Sequence, residues 1–386
     1  MRVGVSLLTL FPGRVGDSET YVRGLLEQFA CGHGPEQVTV LANRHVLSAY
    51  GHLARGPVVL RGVSSYRPGN RLPTRALAMA TAWALPRRIA RDVPRDFEVM
   101  HFAVTVPIPS TSLPSVVTIH DVQHLDLPEL FSRPERRYRY WAYDGAARAA
   151  DRVVTGSDYS KERLVERAGV DPEKVHVIPY GIDLDGFAAV GSDGDEALLS
   201  DVKLPERFIV YPANLWPHKN HGLLIDALAA VRDPEIALVL TGQGYGRLDA
   251  LLERARKVGV AGRVRHVGFL PRAALPALYR RAQAMVFPSL YEGFGAPPLE
   301  AMAAGLPVAS SGQGSLREIC AGATLDFDPT EPDSIATAID RIVSDKPLRE
   351  RLRAAGRERA SGFSWAATAE RHRDVYSQAV EVHESS

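Results

Sequence analysis

AMVFPSLYEGFGAPPLEAMAAGLPVASS, residues 284–311, is the stretch from which the architecture of this chain can be read. Ala284 to Phe287 form a short apolar run that stops at Pro288-Ser289, as a buried strand does. A glycine-spaced turn follows through Glu292-Gly293-Phe294-Gly295, and Pro297-Pro298 open a helix. Proline suits the first helical turn, where its missing N–H would have no intrahelical partner. Glycines let main-chain N–H groups approach a ligand, and a helix N-terminus carries a positive dipole end, so the turn predicts a diphosphate site. Glu292 and Glu300 bracket it. A carboxylate beside an anion is repelled, so these residues fit sugar hydroxyls better than phosphate.

Working outward, the same rhythm runs in both directions. FIVYPA, IALVLTG, VRHVGF, AMVFPS and LPVASS read as strands. Helical patterns fall between them at 219–231, 246–258, 272–282 and 297–304. Upstream, strands are expected at 2–9, 38–42, 57–63, 97–102, 115–120, 152–156 and 175–179, and helices near 19–30, 74–93, 133–150 and 160–168. The alternation predicts an α/β chain of two doubly wound, Rossmann-like domains. They span 1–185 and 206–363, with 186–205 as a Gly/Asp-rich linker. The last helical stretch, 364–386, follows another helix and is expected to cross back to the N-terminal domain. Open parallel sheets bind ligands beyond their strands' carboxyl ends, and two facing sheets would put the site in a central cleft.

Length and composition agree. The 386 residues exceed one ordinary core, and 45% hydrophobic with 24% charged residues is a globular balance. Forty-six Lys and Arg against 45 Asp and Glu give a net charge of +1, so nucleic acid is not an expected partner. Cys31 and Cys320 support neither a disulfide framework nor a zinc site and fit a reducing, cytoplasmic setting. MRVGVSLLTLFPG lacks a leader's cleavage pattern, and no run reaches a membrane span's length. The basic runs 87–95 and 133–152 leave open a weak, peripheral contact with the inner membrane face, although interspersed acids favour solvated helices.

The segment Glu292 to Glu300 resembles the Glu-x7-Glu signature of the retaining family-4 glycosyltransferases of GT-B fold, followed by A-M-A-x-G-x-P-V at Ala301 to Val308. TIHD at 118–121, VIPYGID at 177–183, WPHKN at 216–220 and TGQG at 241–244 follow the same family order. The resemblance implies a nucleotide-diphosphate sugar as donor and co-substrate, with no cofactor and no metal. It also implies a glycan, lipid-linked or small-molecule acceptor, used in polysaccharide or glycoconjugate biosynthesis. It leans towards a hexose, mannose first.

Roles carry over residue by residue. Lys219 corresponds to the lysine that pairs with the donor diphosphate, Glu292 to the glutamate on the transferred sugar, and Glu300 to the one on the nucleotide ribose. Gly293, Phe294 and Gly295 correspond to the main-chain diphosphate cradle, and Phe269 and Leu270 to the segment that meets the base. Gly242 and Leu299 fall in the donor-side motifs. His120 corresponds to a functional histidine facing sugar and acceptor, and neighbouring His124 is a support residue or solvated. Lys219, Glu292 and His120 are therefore the expected catalytic residues.

Two positions depart from the family pattern. Where many members have Gly-Gly before the first helix, this chain has Gly16-Asp17, so that loop could serve phosphate or acceptor equally. Where many have an arginine six residues before the lysine, Ala213 stands; either Lys219 acts without it, or His218 or Asn214 compensates. The reaction class implied is substitution at an anomeric carbon with retention, with closure about residues 183–205 excluding water.

Rival readings fit less well. Gly242-Gln243-Gly244-Tyr245-Gly246 lacks the G-x-G-x-x-G spacing of a nicotinamide site, and no acid ends VRHVGF to hold a ribose. A non-catalytic nucleotide-sugar-binding protein, and an epimerase or phosphorylase on the same fold, are the alternatives.

Overall fold

The computed structural model describes residues 1–13, 16–69, 72–188 and 194–385. The chain forms two compact units: Met1–Gly181 together with Trp365–Ser386, and Ile182–Ser364.

Among the described residues, the first unit is built on seven strands: β1 (Arg2–Leu7), β2 (Gln37–Ala42), β3 (Val58–Gly62), β4 (Val99–Phe102), β5 (Ser115–Thr118), β6 (Arg152–Thr155) and β7 (Val175–Val177). They lie in the order β3-β2-β1-β4-β5-β6-β7, and every ladder is parallel. Val3, for instance, pairs with Val38 on one side and Val99 on the other. Runs such as VVT and VMHF are buried throughout because helices cover both faces of a parallel sheet.

Two helical expectations in this unit need correction. The pattern at 74–93 is two helices, Leu72–Ala84 and Pro86–Ala90, because a proline ring cannot continue the helix that precedes it. The pattern at 133–150 is interrupted by a π-helical turn, Tyr140–Asp144, between Arg133–Arg139 and Gly145–Ala149. The extra residue per turn buries Asp144, whose carboxylate lies 3.2 Å from Nε2 of His124. His124 is thus a buried support residue and not a solvated one.

The helix Trp365–Glu384 completes the first unit. Trp365 fills a notch over Gly24, where a Cβ would come within 2.2 Å of the indole. Further along, Arg373 makes two hydrogen bonds of 2.8 and 2.9 Å to the buried carboxylate of Glu36. Between these anchors lies a fully buried polar chain whose proton directions follow by elimination. His372 Nδ1 faces the Thr368 carbonyl at 2.7 Å, so it carries the hydrogen and Nε2 accepts from Tyr21 Oη, also at 2.7 Å. Tyr21 has then used its hydrogen, so Thr118 Oγ1 donates to it across 3.0 Å. Thr118 in turn accepts from His101 Nε2 at 2.7 Å, and His101 Nδ1 accepts from Tyr376 Oη at 2.8 Å. Both imidazoles are neutral: burial lowers His101 well below the ordinary histidine value and His372 to about 4. Every group in the chain has a partner, which is what makes so many polar atoms tolerable in a core.

Among its described residues, the second unit has six strands: β8 (Phe208–Pro212), β9 (Ala237–Thr241), β10 (Val264–His266), β11 (Ala284–Phe287), β12 (Val308–Ser310) and β13 (Leu325–Asp326). Their order is β10-β9-β8-β11-β12-β13, again wholly parallel. Of the stretch 186–205 expected to link the domains, residues 189–193 lie outside the described residues. Short helices flank them, Leu184–Ala188 and Gly194–Leu199. Phe187 and Leu199 are buried, and Phe187 stacks on Tyr279 with ring centroids 5.9 Å apart. The flanks of that stretch are therefore packed parts of the second unit.

Candidate active site

In the second unit the strand order reverses between β8 and β11, so the loops leaving their carboxyl ends part in opposite directions. Such a switch point is where open α/β sheets take their ligands. The loop after β8 carries Asn214, His218 and Lys219; the loop after β11 carries Glu292 to Gly295. Their side chains meet where Lys219 Nζ donates to Glu292 Oε1 across 2.6 Å, with side chains 14% and 6% exposed. At that length and burial the hydrogen bond is charge-assisted.

Each loop is fixed by hydrogen bonds its own residues make. Tyr211, buried in β8, donates its hydroxyl to the Lys219 carbonyl at 2.7 Å. The Leu290 amide donates to the His218 carbonyl at 2.8 Å, joining the two loops through their main chains. Ser315, at the start of the helix Ser315–Cys320, donates to the carbonyls of Glu292 (2.8 Å) and Phe294 (3.1 Å). Gly295 has φ 100° and a Cβ there would lie 2.5 Å from Leu316 Cδ2, so only glycine fits the turn. The helix Ala296–Ala303 follows, with prolines at its second and third positions. Its dipole points into the turn, but those two positions have no N–H to offer. Phe294 and Leu299 are buried, so what they lend to a ligand comes from the main chain.

The loops after β9 and β10 are tied to each other and to the switch point. Gly242 N donates to Gly268 O at 2.9 Å, and Gly242, at φ 140°, leaves no room for a Cβ beside the Ala213 carbonyl (2.6 Å). Asn214 Oδ1 accepts from the Gln243 amide at 2.8 Å. Ala213, where the resemblance leads to an expectation of arginine, is buried, and the Asn214 carbonyl oxygen is used to hold the neighbouring loop. Beyond β10, Phe269 is 55% exposed while Leu270 is buried. Glu300, on the helix, is 4% exposed and paired with Arg272 at 2.6 Å.

In the first unit, His120 follows β5 with both ring nitrogens engaged. Nε2 lies 3.0 Å from the Ala103 carbonyl and therefore carries the hydrogen; Nδ1 accepts from Tyr180 Oη at 2.7 Å. Burial lowers its pKa, outweighing the Ala103 hydrogen bond and the carboxylates of Asp121 and Asp17, so the ring is neutral. Gly16 precedes the helix Asp17–Ala30 at φ 58°; its neighbours Arg14 and Val15 lie outside the described residues. Asp17 occupies the helix's first turn, where its charge opposes an incoming phosphate. Glu19 pins the same loop, accepting from the Gly13 amide and the Tyr50 hydroxyl, both at 2.6 Å.

Sequence reading missed several supports of this arrangement. Arg272, Tyr211, Ser315 and Tyr180 belong to no motif that marks them, and their roles emerge only from three-dimensional partners. Trp216 and Tyr245, both 41% exposed and stacked at 4.4 Å, rim the β8 and β9 ends. Among the described residues no group of three or more His, Cys, Asp or Glu is placed to hold a metal ion, and no helix is long and apolar enough to cross a membrane.

Comparison with known proteins decides the family. Residues 18–185 match the model for Glycosyltransferase Family 4, and residues 200–359 the model for Glycosyl transferases group 1. A D-inositol 3-phosphate glycosyltransferase of Kribbella flavida is 32% identical over 288 residues, covering 70% of this chain and 67% of that protein. The chain belongs to this glycosyltransferase family. The fold is GT-B: sucrose-phosphate synthase from Thermosynechococcus elongatus aligns with a TM-score of 0.76 at 22% identity, over 98% of both chains. Anabaena Alr3699/HepE, in complex with UDP and glucose, aligns with a TM-score of 0.72 at 20% identity, over 98% of this chain and 99% of that one. A D-inositol 3-phosphate glycosyltransferase of Salinispora tropica is 32% identical over 295 residues, and the match spans 60% of that relative's length. Within the family, the Lys219–Glu292 contact lies where the two central loops of the second unit meet.

Proposed function

We propose that the chain is a retaining glycosyltransferase that moves a hexosyl group from a nucleotide-diphosphate sugar to an acceptor hydroxyl. The observation that carries this reading is the Lys219–Glu292 pair at the strand switch point of the second unit. Lys219 provides the positive charge for a diphosphate, and Glu292, released from the ammonium when phosphate takes it, provides a carboxylate for sugar hydroxyls. Glycine-lined main chain at Gly293 and Gly295 completes the diphosphate side. Glu300 holds the ribose, and the Phe269–Leu270 segment flanks the base.

In the reaction the anomeric C–O bond to the diphosphate breaks and a bond to the acceptor oxygen forms on the same face. The acceptor's proton passes to the departing phosphate oxygen, so no protein base is needed. His120, neutral and held at both nitrogens, orients the sugar or acceptor and does not take the proton. An O-antigen chain mannosyltransferase B of Escherichia coli, 28% identical over 72% of this chain, supports a mannosyl donor and a polysaccharide setting. The UDP-bound Anabaena structure supports a UDP-sugar as the first alternative donor.

Calorimetric titration with UDP-, GDP-, ADP- and dTDP-sugars, GDP-mannose and UDP-glucose first, tests the reading. Binding of one donor, followed by its turnover with a glycan, lipid-linked or small-molecule acceptor, is expected. Binding of none overturns it.

A further inference from the structure

Glu300 is the one charged residue in the helix Ala296–Ala303, whose other members Ala296, Pro298, Leu299, Ala301, Met302 and Ala303 are all buried. A carboxylate in such surroundings is costly unless a cation meets it. Arg272 supplies that cation from another element, the 3-10 turn Arg272–Ala274 that follows β10. Its Nη1 donates to Glu300 Oε1 at 2.6 Å, and its guanidinium lies over the Phe187 ring, 5.4 Å from the centroid. Phe187 is fixed in turn by stacking on Tyr279. The guanidinium plane is therefore set by an aromatic face as well as by the carboxylate, a constraint that lysine's flexible point charge cannot reproduce.

We infer that Arg272 is a positioning residue for the donor nucleotide: it holds Glu300 charged and in one orientation, so that the carboxylate meets the ribose hydroxyls ready-made. This rests on the reading of Glu300 as the ribose contact. The Lys219–Glu292 and Arg272–Glu300 pairs then have different tasks. Lys219–Glu292 must open when a diphosphate enters, whereas Arg272–Glu300 persists through binding. Burial disfavours the Arg272 charge, but the Glu300 carboxylate outweighs it and the guanidinium pKa is raised, as a lasting pair requires.

The consequence is selectivity for ribonucleotides over their 2′-deoxy counterparts, and that is what the test reads. UDP, GDP and their 2′-deoxy analogues are titrated calorimetrically into the full-length wild type and the Arg272→Ala and Arg272→Lys variants, with circular dichroism as the check on folding. Wild type should prefer the ribonucleotide. Arg272→Ala should weaken that ligand by about 10- to 100-fold, the worth of a hydrogen bond to a charged group, and weaken the deoxy analogue, which keeps only the 3′-hydroxyl, by a clearly smaller factor. Arg272→Lys, which keeps the charge and loses the planar fork, should fall between, and it alone decides the matter if Arg272→Ala does not fold. Equal weakening of both ligands, an unaltered preference, or a wild type indifferent to the 2′-hydroxyl overturns the inference. A wild type that binds no nucleoside diphosphate at all overturns the functional reading beneath it, and with it this one.

Discussion

Lys219 and Glu292 are 73 residues apart in sequence and 2.6 Å apart in space, each engaged by the other before any ligand arrives. On the proposed function, a diphosphate would compete with a carboxylate for the ammonium group, and a sugar would inherit the carboxylate so released. The pair is at once a stabilising contact and the chemical centre of the proposed site.

Separating those two roles takes a pair of variants. Lys219→Ala removes the cation that faces a nearly buried carboxylate and should cost about 3 kcal/mol of stability in urea denaturation, along with at least a hundredfold in turnover. Lys219→Met combined with Glu292→Gln removes both charges, and should regain most of the stability but none of the turnover. Recovery of turnover in the double variant would count against the catalytic role.

Acid should weaken the fold through its neutral buried histidines. His372 has its folded pKa lowered to about 4 against 6.5, and His221 to about 3, in both cases by burial. A lowered histidine pKa means the unfolded chain binds the proton first. Stability is thus complete above pH 6.5 and falls as the pH drops towards the folded values. Each such group contributes a slope of about 1.4 kcal/mol per pH unit within that window. Urea midpoints at pH 7, 5.5 and 4.5 measure it, and His372→Gln should flatten the decline.

Proton direction in the first unit's polar chain makes unequal tyrosines. Tyr21 donates to His372 and accepts from Thr118, whereas Tyr376 only donates to His101. Tyr21→Phe leaves His372 Nε2 without its donor and the Thr118 hydroxyl without its acceptor, and should destabilise by about 2–4 kcal/mol, against about 1–2 kcal/mol for Tyr376→Phe. Equal losses in thermal melts would refute the assigned directions.

Gly295→Ala should abolish donor binding with modest damage elsewhere. Its φ of 100° costs a side-chain-bearing residue roughly 1–2 kcal/mol, and the new methyl meets Leu316. Adding Leu316→Ala restores space but not the backbone angle, so calorimetry should show only partial rescue.

Much of this was legible beforehand because parallel strands buried on both faces announce themselves as short apolar runs. FIVY, ALVL and AMVF each form a strand, and the turn from Glu292 to Gly295 sits where its glycines implied. What stayed hidden are relations between distant residues. Nothing around Arg272 in PRAAL distinguishes a pinned guanidinium from a solvated one until Glu300 and Phe187 are beside it. No motif marks His101 or His372, since their meeting depends on the last helix returning to β4 and β5. The burial of Phe187 and Leu199, on the two flanks of residues 189–193, was obscured by the Gly and Asp around them.

That returning helix bears on how the molecule is made. Gly181, where the chain leaves the first unit, lies against Trp365, where it re-enters: a Cβ on Gly181 would come within 2.3 Å of the Trp365 nitrogen. Within the second unit, Ile182 N likewise bonds to Phe363 O at 3.0 Å. The second unit is thus an insertion with adjoining ends, able to mature as soon as it leaves the ribosome. The first unit, begun earliest, stays unfinished until residues 365–384 are synthesised, and a nascent chain stalled before them holds a complete second unit and an incomplete first one.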